Sequence, residues 1–202
     1  MHGRRGRHGH AGRDRDIRHG SRLYDVVART AMRGLYRRIA GDISEVAVPG
    51  GRVLDVGTGP GLLLVALARV RPDLALTGVD VSPEMVAAAR RNLRAWPRAE
   101  ARVGNAAGLP FDDGAFDLVV SSLSVHHWGD PAAAAAELAR VLAPGGRLRL
   151  YDLRPAPLDA VRTAAGELGV LDGSPAGCEE FRTHSWPIRT LSRLVMTSAA
   201  HT

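Results

Sequence analysis

The stretch of the sequence best suited to chemistry runs from Val53 to Gly61 and reads V-L-D-V-G-T-G-P-G. Its apolar residues predict a buried strand, the apolar run from Leu62 to Val70 predicts a helix, and the glycines predict a tight turn between them. Because glycine has no Cβ, a ligand can lie directly against the backbone of such a turn. The free N–H groups and the positive dipole end of the helix would then face that ligand.

Two acidic residues accompany this turn. Asp55 ends the first predicted strand, and Asp80 ends the next one, L-T-G-V-D, 19 residues after Gly61. A carboxylate at the second place can accept hydrogen bonds from both ribose hydroxyls of a nucleoside. Gly57, Gly59 and Gly61 follow G-x-G-x-G, one residue shorter than the G-x-G-x-x-G of nicotinamide-dependent dehydrogenases. This spacing favours another nucleoside ligand, and a nicotinamide-dependent oxidoreductase stays as an alternative.

A second group of polar residues follows the fourth predicted strand. His126, His127 and Trp128 come shortly after it. His126 is a candidate general base because imidazole titrates near neutrality, and the competing interpretation is that it only shapes a pocket. We expect His127 to be structural. Two adjacent histidines without a further His, Asp or Glu at ligand spacing predict no metal site.

An alternation of strands and helices must position these residues. Strands separated by helices of this length indicate right-handed crossovers and a parallel sheet. One or two helices are expected before the first strand, within residues 23–43. After residue 154 the pattern weakens to a helix at 158–168, a loop at 166–177 and two strands at 180–184 and 189–197. The main strands are predicted at 52–56, 74–80, 101–104, 116–122 and 147–153, with helices at 62–71, 83–95 and from 131 to the Pro144-Gly145-Gly146 stop.

Five motifs occur in one order: V-L-D-V-G-T-G-P-G, G-V-D-V-S-P-E-M, G-N-A-A-G-L-P-F, F-D-L-V-V-S-S-L-S-V-H-H-W and L-A-R-V-L-A-P-G-G-R-L. In this order they resemble the class I S-adenosylmethionine-dependent methyltransferases, specifically the small-molecule group of the ubiquinone/menaquinone-biosynthesis type. The resemblance covers roughly residues 53–152. It implies an α/β fold: a doubly wound, mostly parallel seven-stranded sheet with helices on both faces and an antiparallel last strand.

The resemblance also implies methyl transfer from S-adenosylmethionine to a small-molecule acceptor, by in-line displacement at the sulfonium methyl. His126 would be the catalytic residue, and Tyr24, His126 and Trp128 would meet the substrate. Asn105 departs from the family, whose members often carry an aspartate there to accept from the adenine amino group. The implied cofactor residues are Asp55, Gly57, Thr58, Gly59, Gly61, Asp80, Val81, Met85, Asn105, Ala106, Ser121 and Leu123.

Composition limits the remaining choices. Residues 1–22 carry +5 of the formal charge of +6. Residues 1–20 form an Arg/Gly/His-rich segment that is expected to be disordered. Residues 21–202 are expected to form one domain, with a helical cap at 21–48, a cofactor-binding core at 51–154 and a hairpin region at 155–202. All 27 basic residues are arginine, and Cys178 is the only cysteine.

These features predict a cytoplasmic protein without a membrane partner, for which a homodimer is one option. Nucleic-acid binding is not favoured, because no aromatic residue is interleaved with the basic tail for base stacking. An RNA methyltransferase using that tail, and a non-catalytic protein that binds the cofactor, stay open beside the main hypothesis.

Overall fold

The computed structural model describes residues 32–169, 171–173, 178–183 and 187–198. The predicted tail and Tyr24 lie outside these ranges. Five helices are described: α1 (residues 32–44), α2 (Leu62–Val70), α3 (Pro83–Leu93), α4 (Pro131–Val141) and α5 (Leu158–Glu167), with a 3-10 turn at Val125–His127. The strands are β1 (Arg52–Val56), β2 (Ala75–Asp80), β3 (Ala99–Val103), β4 (Phe116–Ser122), β5 (Leu142–Asp152), β6 (Leu171–Gly173), β7 (Glu179–Arg182) and β8 (Thr190–Ser198).

All strands join one sheet in the order β3-β2-β1-β4-β5-β8-β6, with β7 also paired to β8. The first five strands are parallel, and β8 runs antiparallel to β5. Strands β6 and β7 pair with successive stretches of β8, so together they occupy the seventh position of the sheet. The predicted doubly wound fold with an antiparallel last strand is confirmed.

Some element boundaries were predicted wrongly. Strand β5 begins at Leu142, five residues before the predicted start, and β6 lies inside the predicted 166–177 loop. Leu142 pairs with Phe116 of β4, so pairing begins before the Pro-Gly-Gly segment that was expected to separate helix from strand. The register shifts between Phe116 and Leu118, which pair with Leu142 and Arg147, so the extra residues of β5 form a bulge.

Two apolar clusters cover the two faces of the sheet. Helices α1, α2 and α3 pack on one face, and α4 and α5 pack on the other. Successive residues of β1 alternate between these faces, with Val53 in the first cluster and Leu54 in the second. Both faces are therefore buried, which leaves the edge at the carboxyl ends of the strands as the place for a ligand.

A buried charge cluster fastens α1 to the far side of the sheet. Asp42 of α1 accepts from the Tyr151 hydroxyl at 2.5 Å and from Arg193 Nη1 at 2.6 Å, and it also pairs with Arg149. Burial alone would raise the pKa of Asp42, but the tyrosine hydroxyl and the two guanidinium groups hold it below its usual range. Arg193 also pairs with Glu179 of β7, so the cluster joins the first described helix to the last strands.

We expect Asp42→Asn to lower the free energy of unfolding by about 3–5 kcal/mol, because it leaves Arg149 without a carboxylate partner and removes one of the two carboxylates that pair with Arg193. Denaturant unfolding at pH 7 measures this. The matched control is Glu100→Gln, which breaks the exposed Arg102–Glu100 pair and should cost under about 1 kcal/mol. Similar losses for the two variants would contradict a special role for Asp42.

Candidate active site

The turn after β1 is built from three glycines in the left-handed region, with φ of 72° at Gly57, 53° at Gly59 and 75° at Gly61. The backbone N–H groups of Gly57 and Thr58 both donate to the Val79 carbonyl, at 2.8 and 3.0 Å. These bonds fix the turn against the end of β2. Glycine is needed at these three positions because only glycine readily adopts a positive φ.

Gly57 is also a place of close approach. A Cβ at this position would lie 1.8 Å from Ser124 Oγ, so any larger residue would displace Ser124. Ser124 Oγ accepts a hydrogen bond from Trp128 Nε1 at 3.2 Å. Its own hydroxyl hydrogen stays available to a ligand. Ser124 was not predicted as a site residue, because no local pattern signals contact with Gly57.

Asp55 is a buried carboxylate with an unused oxygen. Its side chain is 1% exposed, and Oδ2 accepts from Thr58 Oγ1 at 2.8 Å. Within the described part of the chain, Oδ1 has no hydrogen-bond partner. Burial raises the pKa of Asp55 to about 7, and the charge of Asp80 adds to the rise. A positively charged group that reached Oδ1 would relieve both costs.

Asp80 lies at the end of β2 with both oxygens turned to backbone donors. Oδ2 accepts from Gly59 N at 2.8 Å, and Oδ1 accepts from Ser82 N at 3.0 Å. A carboxylate oxygen has a second lone pair, so each can accept one further hydrogen bond. The next residue, Val81, is 71% exposed and presents an apolar surface beside the acid.

A cleft of about 340 Å³ opens at this edge of the sheet. Six of the predicted site residues line it: Gly57, Asp80, Val81, Asn105, Ala106 and Trp128. His127, expected to be structural, also belongs to the wall, together with Ser124. Asn105 is exposed, and its Oδ1 accepts from Ala107 N at 3.0 Å, so part of its acceptor capacity is used by its own loop.

Other predicted residues lie away from that wall. Met85 is 42% exposed on the first turn of α3, and Ser121 is buried at the end of β4. Leu123 has a φ of 54°, unusual for a residue with a branched side chain, and its N–H donates to the Tyr151 carbonyl at 2.8 Å. This left-handed residue turns the chain from β4 into the 3-10 turn that carries His126.

His126 forms a dyad with Asp152, the last residue of β5. The His126 Nδ1 atom lies 2.8 Å from Asp152 Oδ1, and the His126 backbone N–H donates to Oδ2 at 3.1 Å. Asp152 is fully buried and also accepts from Leu153 N at 2.7 Å. An Nδ1–H donated to the carboxylate leaves Nε2 as an acceptor on a side chain that is 37% exposed. Asp152 was missed as a site residue, although its place at a strand end was predicted.

Tyr36 of α1 is half-buried and does not line this cleft, although it lies near enough to Asp55 to be affected by its charge. Burial raises its pKa to about 12, and the negative charge of Asp55 contributes to the rise. Tyr24, the predicted contact, lies outside the described residues. The helical periodicity of the cap could not distinguish the two tyrosines, because both fall on expected helix.

In the described ranges, no group of three or more His, Cys, Asp or Glu side chains comes together to hold a metal ion. The described helices are all too short or too polar to cross a bilayer.

Residues 54–150 match the family described as a methyltransferase domain. A demethylmenaquinone methyltransferase of Thermus thermophilus is 38% identical over 147 residues, which are 68% of this chain and 64% of the relative. A ubiquinone biosynthesis O-methyltransferase of Xanthomonas campestris is 34% identical over 141 residues, covering 69% of this chain and 58% of the relative. The chain spans 36% to 64% of the length of the curated relatives it matches first.

Solved structures share the fold. A putative S-adenosyl-L-methionine-dependent methyltransferase of Methanococcus maripaludis superposes with a TM-score of 0.70 at 22% identity, covering 91% of this chain and 93% of the other. The [4+2]-cyclase SpnF superposes with a TM-score of 0.68 at 20% identity, covering 82% of each chain. With the motif order and the sheet order, the family match and the curated relatives show that residues 54–150 form an S-adenosylmethionine-dependent methyltransferase domain.

Proposed function

We propose that this chain transfers a methyl group from S-adenosylmethionine to a hydroxyl oxygen of a small-molecule acceptor, with His126 as the general base. We propose oxygen as the methylated atom because His126 forms a dyad with the buried Asp152. A base is needed when the nucleophile must lose a proton, as a hydroxyl does. The relative from Xanthomonas is itself named as an O-methyltransferase.

The residues present fit the cofactor. The unpaired Oδ1 of Asp55 is a place for the ammonium group of its methionine part, directly or through a water molecule. The second lone pairs of Asp80 suit the two ribose hydroxyls. Val81 and Ala106, which both line the cleft, offer apolar contacts to adenine. The bare backbone at Gly57 lets the ligand approach the turn.

The bound cofactor would supply a methyl group already activated by the positive sulfur, so the protein's main task is alignment. Holding two reactants in an in-line geometry can lower the barrier by several kcal/mol. We assign that task to the glycine turn, to Asp80 and to the wall formed by Ser124 and Trp128. The Trp128–Ser124 hydrogen bond keeps this wall against Gly57.

The dyad would handle the proton. Nε2 of His126 accepts the proton of the acceptor hydroxyl as the oxygen attacks, which leaves a positively charged imidazolium. Asp152 holds the ring through Nδ1 and stabilises that charge from a fully buried position. Two backbone N–H groups, of His126 and Leu153, hold the carboxylate in place.

Replacing Asp80 tests the cofactor assignment. We expect Asp80→Ala to weaken binding of S-adenosylhomocysteine by about 100-fold, because two charge-assisted hydrogen bonds of about 1.5–3 kcal/mol each are lost and some solvation is regained. Isothermal titration calorimetry measures the affinity, and circular dichroism checks that the variant is folded. Glu84→Ala, which removes an exposed carboxylate bonded to Ser82, should leave the affinity nearly unchanged. Unaltered binding by Asp80→Ala would refute the assignment.

Replacing the dyad tests the base. Once a panel of small hydroxylated compounds has identified an acceptor, His126→Ala and Asp152→Asn should each lower kcat by about 10²–10⁴-fold. Affinity for S-adenosylhomocysteine should stay within about twofold, because neither side chain lines the cofactor cleft. The double variant should be hardly slower than His126→Ala, since both residues serve one proton transfer. Additive losses, or an unchanged kcat, would exclude this role.

Because Asp55 is buried, we expect its ionisation to lower the stability of the ligand-free fold while favouring the binding of a cationic ligand group. Its pKa in the folded chain, about 7, lies above its ordinary value of 3.8. Ionisation therefore destabilises the ligand-free fold progressively as pH rises through this window, by up to about 4 kcal/mol at 1.36 kcal/mol per pH unit.

We expect Asp55→Asn to be more stable than the wild type by about 1–3 kcal/mol at pH 8 and nearly equal to it at pH 4. The gain is smaller than the full cost, because the amide N–H₂ lacks an acceptor there. Denaturant unfolding at the two pH values measures the difference. The same variant should bind S-adenosylhomocysteine at least about tenfold more weakly. A variant that is less stable at pH 8 and binds normally would contradict both parts.

A further inference from the structure

A groove distinct from the cofactor cleft lies on the outer side of α2. Side chains of α1, α2 and α3 enclose about 360 Å³, and we call this space the α1–α2 groove. It has its own lining and shares no residue with the cleft at the carboxyl edge. Neither the fold nor the proposed methyl transfer accounts for it.

The floor of the α1–α2 groove is apolar. Val65 and Ala66 are half-buried there, and Val70 at the end of α2 is 49% exposed. Leu62, one turn before Val65, is 36% exposed and continues the same stripe. At 1.5 Å per residue the stripe from Leu62 to Val70 is about 12 Å long. An alkyl chain of medium length could bury itself along it.

The rim of the groove carries unbalanced positive charge. Arg33, Arg37 and Arg69 are exposed and donate to no partner among the residues that the structure describes. The described lining holds no carboxylate, and its other polar members are Tyr36 and Asn92. Arg71, close by, is by contrast fully engaged by Asp73 and backbone carbonyls. Arg33 and Arg37 stand four residues apart on α1, where like charges repel. An anion in the groove would offset that repulsion.

The size of the groove selects the kind of anion. A groove of about 360 Å³ lies within the range of small-molecule sites. A small molecule with one anionic head and an apolar tail matches both the arginines and the floor. We infer that the α1–α2 groove binds a medium-chain carboxylate, independently of the cofactor cleft and of the proposed reaction.

Calorimetric titration of the full chain with decanoate, below its micellar concentration and with S-adenosylhomocysteine saturating, tests the inference. Binding should persist in the presence of S-adenosylhomocysteine, because the two sites do not overlap. The double variant Arg33→Gln/Arg37→Gln should bind decanoate at least about tenfold more weakly. Arg91→Gln on α3, an exposed arginine without a described partner, is the matched control and should bind normally.

Two further measurements distinguish binding of the alkyl chain from binding of the carboxylate, and a free carboxylate from a lipid surface. Val70→Gln should weaken decanoate binding while leaving the weaker binding of acetate unchanged, because only the floor is altered. Vesicles of anionic phospholipid should bind the wild type no better than the double variant. The inference is overturned if decanoate does not bind, if it competes with S-adenosylhomocysteine, if Arg91→Gln is as impaired as the double variant, or if only vesicles discriminate between the proteins.

Discussion

The structure around the cleft depends on the lack of space beside Gly57. The loop after β4 comes so close to the turn after β1 that Ser124 Oγ occupies the place of a Cβ. Only a bare backbone allows this contact, and it has two consequences. At Gly57 the cleft is lined by backbone rather than by a side chain, and Trp128, also in the lining, is held by its hydrogen bond to Ser124. Because Gly57 has no Cβ, the loops after β1 and β4 can together form one wall of the cleft.

Three strands carry an aspartate at the same edge of the sheet, as the last residue of β2 and β5 and the next-to-last residue of β1. Their surroundings make the three different. Asp55 is buried with one oxygen unpaired, so it favours a cation. Asp80 is half-buried and already accepts from two backbone N–H groups, so it favours further neutral donors. Asp152 is fully buried and bonded to an imidazole, so it fixes the orientation of that ring. Residue type is the same, and environment sets each role.

The sequence predicts the glycine turn and the position of Asp80 better than the dyad, for a physical reason. The glycine turn and Asp80 are local signals, because φ and strand-end position are written within a few residues. The dyad joins His126 to a residue 26 positions later, across α4, and only the register of β4 with β5 brings them together. Likewise, helical periodicity predicts the cap but does not choose between its tyrosines.

The glycine turn and helix α1 are held in place by different kinds of contact. Hydrogen bonds between neighbouring loops hold the glycine turn. Asp42 holds α1, and its partners lie more than 100 residues away on β5 and β8. Tyr36 belongs to the same helix. The position of α1 therefore depends on the pairing of the C-terminal strands, whereas the glycine turn depends on the ends of β1 and β2.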